Sequence, residues 1–113
     1  MYDFGSIVLT RFPFTDLSGN KVRPALVVSQ DNARRADVVL AFITSRPLAT
    51  TMPDALPLLP SAANGLKVPS AVRFDKLVTL EMGVIAGKLG DAEPPFLATA
   101  ASVFFGVFGF GRP

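Results

Sequence analysis

The chain has 113 residues, half of them apolar, with a formal net charge of +2 and neither cysteine nor histidine. That length suits one small domain over 1–113, and the apolar content is enough for a real core. The missing residue types exclude disulfide frameworks, thiolate or imidazole metal sites, and every Ser-His-Asp, Cys-His or imidazole-pair catalyst, which leaves chemistry to Arg, Lys, Asp, Glu, Thr, Ser and Tyr.

The first residues, Met1 to Gly5, carry no secretory signal pattern, so a cytoplasmic location is expected. Ser6 to Phe12 reads as a first strand, with Gly5 at its start. Thr15 to Lys21 clusters Asp, Ser, Gly and Asn, which is loop chemistry. Pro24 to Gln30 reads as a second strand, apolar enough to be buried on both faces. Pro24 has no N–H and so belongs at the strand's beginning. Asp31 to Asp37 is a polar link that carries Arg34 and Arg35. Val38 to Ser45 is a third strand, with Val38, Leu40, Phe42 and Thr44 on one face and Val39, Ala41, Ile43 and Ser45 on the other.

Prolines break up residues 46 to 64, leaving Leu56 to Leu59 as a short edge strand. Ser70 to Phe74 and Leu77 to Leu80 read as two further strands separated by Asp75-Lys76. Glu81 to Leu89 reads as a short helix weakened by Gly83 and Gly87. From Pro95 the spacing turns helical, with Leu97, Ala100, Ala101, Phe104 and Phe108 in one stripe. Phe96, Val103 and Val107 make the other side apolar too, so this helix is expected to be buried on more than one side or to meet a second subunit. Its apolar run is short of the ~20 residues of a membrane span. Gly106, Gly109 and Gly111 point to fraying near its end. The expected fold is mainly β (α+β): a small, strongly curved sheet or partly open barrel with a C-terminal helix on one face.

Arg23 stands where a basic loop meets an apolar strand. Either it pairs with a carboxylate such as Asp16, or its guanidinium fork clamps an anion. Thr44, at the end of the third strand and followed by Ser45 and Arg46, is either a β-favouring residue or a hydroxyl donor at a groove mouth. Lys67, Ser70 and Arg73 form either a solvated hairpin or a phosphate-contacting cluster. Outside the terminal helix, Tyr2, Phe12, Phe14 and Phe74 are the candidates for base stacking, with Phe12 or Phe14 favoured by its place near the loop. No P-loop, dinucleotide fingerprint, zinc pattern or paired-carboxylate signature is present.

The segments Gly5-Ser-Ile-Val-Leu-Thr-Arg-Phe-Pro-Phe-Thr-Asp, Lys21-Val-Arg-Pro-Ala-Leu-Val-Val-Ser, Leu40-Ala-Phe-Ile-Thr-Ser and Gly65-Leu-Lys-Val-Pro-Ser-Ala-Val-Arg-Phe-Asp-Lys-Leu-Val-Thr-Leu, in this order, resemble the PemK/MazF-type toxins of bacterial toxin–antitoxin systems. The resemblance implies an SH3-like β-barrel, usually a homodimer. It also implies a metal-independent, cofactor-free, sequence-specific endoribonuclease that cuts single-stranded RNA, typically mRNA, through 2′-hydroxyl attack to a 2′,3′-cyclic phosphate. The family's catalytic arginine falls on Arg23 and its catalytic threonine on Thr44. Phe14, Asp16, Lys21, Ser45, Lys67, Ser70 and Arg73 are the expected RNA contacts, and Asp16 is also a candidate for taking the 2′-hydroxyl proton.

The implied partner is a cognate antitoxin that occupies the RNA groove, with DNA reached only through that antitoxin. Two features depart from the family pattern: the Phe/Gly-rich end of the chain, and residues 47–60. The aromatic end keeps a second reading open, a toxin of the same barrel that poisons gyrase by binding, as CcdB-type toxins do. A third is a catalytically inactive relative that binds only its antitoxin.

Overall fold

A computed structural model of the chain describes residues 2–10, 22–31, 36–47 and 51–109. These form strands β1 (Ser6–Thr10), β2 (Arg23–Val27), β3 (Asp37–Thr44), β4 (Ala55–Leu58), β5 (Ser70–Glu81) and β6 (Gly87–Asp91), followed by helix α1 (Pro94–Phe108). The strands make one six-stranded sheet in the order β4-β5-β3-β2-β1-β6. Every pairing is antiparallel. The sheet curls into a half-barrel that is open between β4 and β6, as the run of short strands led one to expect.

The curl has a physical source in two register shifts. In the β3–β5 pair, Ala41 faces Leu77 but Phe42 faces Arg73, so the register skips Phe74, Asp75 and Lys76. In the β1–β6 pair the register slips between Ile7 and Val8, which skips Leu89. Extra residues on one strand bend it and increase its twist. A bent sheet buries both of its surfaces. Ile7, Leu26, Ala41, Ile43, Val72 and Phe74 pack under α1, beside Leu97, Ala100 and Phe104. Val8, Ala25, Val27, Val38, Leu40 and Phe42 line the other, concave surface together with Val78, Leu80 and Ile85. This explains why β2 is apolar after Arg23: Ala25, Leu26 and Val27 are all buried.

Helix α1 begins with proline in its first turn, where no intrahelical N–H is needed. Its Phe104 ring meets Phe74 edge-on, with centroids 6.2 Å apart. Only Ala100 is fully buried on it, and Phe105 and Phe108 remain 52% and 44% exposed. Among the described residues, no helix is long and apolar enough to cross a membrane.

Three sequence expectations change. Ser70–Phe74 and Leu77–Leu80 are one long strand, because Asp75-Lys76 forms a bulge rather than a turn. Glu81–Leu89 is not a helix: a single 3-10 turn over Met82–Val84 leads straight into β6. Gly83 and Gly87 weaken a helix there, and pairing of 87–91 with β1 satisfies the backbone instead. Helix α1 also continues through Gly106, and the Gly109 N–H still bonds the Phe105 carbonyl at 3.0 Å.

Candidate active site

Arg23 opens β2, and its position follows from the ladder. It lies directly opposite Thr10 on β1. On the other side, the β2–β3 ladder ends where Ala25 faces Phe42, two residues along each strand from Arg23 and Thr44, which therefore share the face of that pair, and both line one recess. Directly opposed residues in an antiparallel pair share a face. The row Thr10–Arg23–Thr44 therefore crosses three strands at one end of the concave surface.

Two recesses meet at this row. One, of about 240 Å³, is lined by Arg23, Phe42, Thr44, Ser45, Arg46, Arg73 and Lys76. Four of those side chains are cationic and Asp75 at the rim pairs with one of them, Arg73, so the recess carries net positive charge. The other, of about 320 Å³, is a mostly apolar cleft lined by Leu9, Pro24, Ile43, Leu66, Val68 and Leu89, with Arg23, Ser45, Lys67 and Ser70 at its polar edges. Arg23 and Ser45 border both. A cationic pocket joined to an apolar slot matches the two halves of a nucleotide, phosphate and base.

The polar groups of the recess are individually oriented. Thr44 is buried, and its Oγ1 accepts a hydrogen bond from the Arg46 N–H at 3.2 Å. That leaves the Thr44 hydroxyl proton free to donate. Arg73 donates twice to Asp75, Nε to Oδ1 at 3.1 Å and Nη2 to Oδ2 at 2.6 Å. The bond from Arg73 holds the Asp75 carboxyl below the usual carboxylate range, against the opposing effect of burial. The same bond raises the Arg73 pKa, so both partners stay charged.

The cleft's far wall is the 61–70 segment, anchored from behind by Asn64. This asparagine is fully buried. Its Oδ1 accepts from the Ser61 and Leu66 N–H groups, both at 3.0 Å, and its Nδ2 donates to the Leu59 carbonyl at 2.9 Å. Ser61 Oγ in turn donates to Glu93 Oε2 at 2.6 Å, which lowers the Glu93 pKa. Gly65 sits at φ +72, where a Cβ would run into the Leu89 carbonyl, and a Cβ on Gly90 would strike the Ala63 carbonyl. The wall is therefore pressed against β6 by residues that admit no side chain. Ser70 is also buried, with its hydroxyl donating to the Val68 carbonyl at 2.9 Å, so it shapes the wall from within.

Of the residues expected from the sequence, Arg23, Thr44, Ser45 and Arg73 converge on the cationic recess, whereas Lys67 and Ser70 face the cleft. The cluster Lys67–Ser70–Arg73 is thus split, because Ser70 and Arg73 occupy opposite faces of β5. Asp16, Lys21, Phe12, Phe14, Arg34 and Arg35 lie outside the described residues. Arg46 and Lys76 join the recess without having been singled out from the sequence. Lys76 arrives there by way of the bulge, and no local sequence signal announces a bulge's direction.

Among curated proteins, none is similar enough in sequence to match. Several solved structures share its fold. An endoribonuclease in complex with its cognate antitoxin, from a mycobacterial species, is 26% identical over the whole of both chains, with a TM-score of 0.76. MazF from Deinococcus radiodurans is 26% identical, with 96% of this chain and 97% of that one covered and a TM-score of 0.74. A MazE–MazF structure from the same organism is 27% identical, with 96% of each chain covered and a TM-score of 0.73. The family model describing the PemK-like, MazF-like toxin of type II toxin–antitoxin systems matches residues 3–104, and the chain belongs to that family of toxins.

Proposed function

We propose that this protein, as one toxin domain over residues 1–113, is a metal-independent, sequence-specific endoribonuclease acting on single-stranded RNA, mRNA above all, in the cytoplasm. The observation that carries the reading is the position of Arg23 beside Thr44, at the junction of a cationic recess and an apolar cleft. The scissile phosphate sits at this junction, with one adjoining base in the cleft.

In the reaction, the ribose 2′-oxygen attacks phosphorus and loses its proton. The O2′–P bond forms as the P–O5′ bond breaks. The products are a 2′,3′-cyclic phosphate and a 5′-hydroxyl, the departing oxygen gaining a proton. Negative charge grows on the equatorial oxygens of the phosphorane. Arg23, always protonated and fork-shaped, stabilises that charge. Thr44 donates its free hydroxyl proton to one of the same oxygens. Preorganised donors of this kind are worth about 3–4 kcal/mol each. Arg23 cannot be the base, because a guanidinium does not give up its proton near neutral pH. Asp16 is the carboxylate candidate for that task. Arg46, Arg73, Lys76 and Lys67 supply the salt-dependent attraction for the RNA backbone, together with Lys21. Ser45 and Phe14 are the further RNA contacts.

The proposed partners are a cognate antitoxin, which would fill the basic groove and link the toxin to DNA only indirectly, and a second copy of this chain. The exposed Phe105 and Phe108 of α1 suit such a contact between copies. Those phenylalanines also favour the alternative, a gyrase-binding toxin of the same fold. Incubation with a long RNA in EDTA, with mapping of the ends, tests the main reading. Cleavage that leaves 2′,3′-cyclic phosphate ends and is lost in Arg23→Ala supports it. Intact RNA, or equal cleavage by Arg23→Ala, overturns it, and gyrase inhibition without RNA cleavage would establish the alternative.

A further inference from the structure

Two buried side-chain polar atoms among the described residues have no hydrogen-bond partner, Thr10 Oγ1 and Arg23 Nε. They belong to residues directly opposite each other on β1 and β2, hence on one face of the sheet. Thr10 is closed off from solvent, while Arg23 is half-buried and borders both recesses. An orphaned buried group forfeits its hydration without recompense, so such atoms are rare and call for an explanation. Here the two are chemically complementary. Nε carries one N–H and accepts nothing, whereas a threonine oxygen accepts readily. The Cβ atoms of opposed residues stand roughly 4.5–5.5 Å apart. A rotation of the arginine side chain therefore brings Nε within reach of Oγ1.

We propose that Thr10 is a positioning residue for Arg23, its hydroxyl accepting the Nε–H hydrogen bond when the guanidinium turns onto a phosphate. With Nε tied to β1, the plane of the guanidinium is fixed and its two terminal nitrogens point together into the anion recess. That is the bidentate presentation a phosphate or phosphorane requires. Thr44 on β3 flanks the same arginine from the other side, so Arg23 is held between a positioning threonine and a reacting one. Thr10 touches no substrate and acts only through Arg23. The inference rests on Arg23 being the phosphate-binding arginine of the proposed ribonuclease.

The test compares Thr10→Val, which keeps the shape and removes the hydroxyl, with Thr10→Ser, which keeps the hydroxyl. Two readouts are used: single-turnover RNA cleavage over a range of protein concentrations, and the Nε–H resonance of Arg23 in nitrogen-15 spectra with a bound uncleavable RNA analogue. That resonance is assigned by its loss in Arg23→Lys. Thr10→Val is expected to cleave about tenfold more slowly at saturation, with RNA affinity within about twofold of the parent, because only orientation is lost. Its Nε–H is expected to shift and to exchange faster with water. Thr10→Ser is expected to restore both readouts. Thr10→Val should melt no lower than the parent, since a buried orphan hydroxyl is exchanged for a methyl group. Unchanged cleavage by Thr10→Val overturns the proposal, and so does slower cleavage with an unchanged Nε–H. Should the parent cleave no RNA, the ribonuclease reading fails. An unchanged Nε–H in Thr10→Val, measured with inorganic phosphate, then overturns the Thr10 assignment separately.

Discussion

Arg73 is clasped by Asp75 through two parallel hydrogen bonds on the rim of the cationic recess, Nε to Oδ1 at 3.1 Å and Nη2 to Oδ2 at 2.6 Å. The pair sits on the β5 bulge, so the irregularity that curls the sheet also places a partly neutralised arginine beside Arg23. Asp75 both orients this guanidinium and offsets its charge.

Removing that offset should strengthen RNA binding. Asp75→Asn is expected to raise affinity for a single-stranded RNA a few-fold and to steepen its salt dependence. Arg73→Ala made in the Asp75→Asn background should then lower the log–log salt slope by about 0.7, the value for one phosphate contact on a single strand. The same change in the parent should lower it by less. Fluorescence anisotropy across a salt series, on a cleavage-deficient Arg23→Ala background, measures both. The loss of folding stability in Asp75→Asn should stay within about 1 kcal/mol, because the pair is partly solvated.

Arg23→Ala and Thr44→Ala should each slow cleavage by about 10²–10³-fold, the usual loss for a preorganised donor to developing negative charge. Arg23→Lys should recover little, since an ammonium is a point charge without the fork. Melting temperatures near the parent's in all three would show that the loss is chemical rather than structural. Rates from labelled RNA and scanning calorimetry provide the two measurements.

Asn64 should prove to be the keystone of the cleft wall. Asn64→Ala strands the Leu66 N–H, whose bond to Asn64 Oδ1 is buried, and frees the Leu59 carbonyl. Each unsatisfied buried group costs about 1–3 kcal/mol. Denaturant unfolding should report a loss in that range, and hydrogen exchange should rise across residues 59–68 before it rises in β2 and β3. Gly65→Ala should act in the same direction through backbone strain and the blocked approach to the Leu89 carbonyl.

Acid should weaken the fold in a defined window. The carboxyls of Asp75 and Glu93 both have folded pKa values below the usual range, Asp75 chiefly through Arg73 and Glu93 chiefly through the Ser61 hydroxyl. A depressed carboxylate contributes stability in full above its unfolded pKa, roughly pH 4–4.5. That contribution disappears as pH falls through the lower folded value. Melting temperature should therefore be insensitive to these groups from pH 5 to 7 and should fall below about pH 4. The Glu93→Gln and Asp75→Asn proteins should show a shallower fall than the parent.

Much of the architecture was legible because apolar spacing reports directly on burial. The alternation in Val38–Thr44, the continuous apolar run of β2 and the helical stripe from Leu97 to Phe108 each correspond to an observed element. Errors arose where local preference competes with pairing. Asp75-Lys76 reads as a turn, yet the β3 register carries the strand past it. Gly83 and Gly87 weaken a helix that is in fact a turn and a strand, because the open edge of β1 offers partners to the backbone.

By itself, the sequence limited which side chains are available for chemistry and supplied the materials of the core. A chain without cysteine or histidine leaves arginine, hydroxyl and carboxylate groups to do the work, and the motifs around Arg23 and Thr44 are local enough to be read in a row. Only the tertiary structure decided which of these groups face one another. The setting of Arg23 between Thr10 and Thr44, the separation of Arg73 from Lys67 and Ser70, and the arrival of Lys76 beside the recess all depend on strand register. Register is fixed by burial on both surfaces of a curled sheet, and a displacement of one residue would turn every side chain to the opposite face.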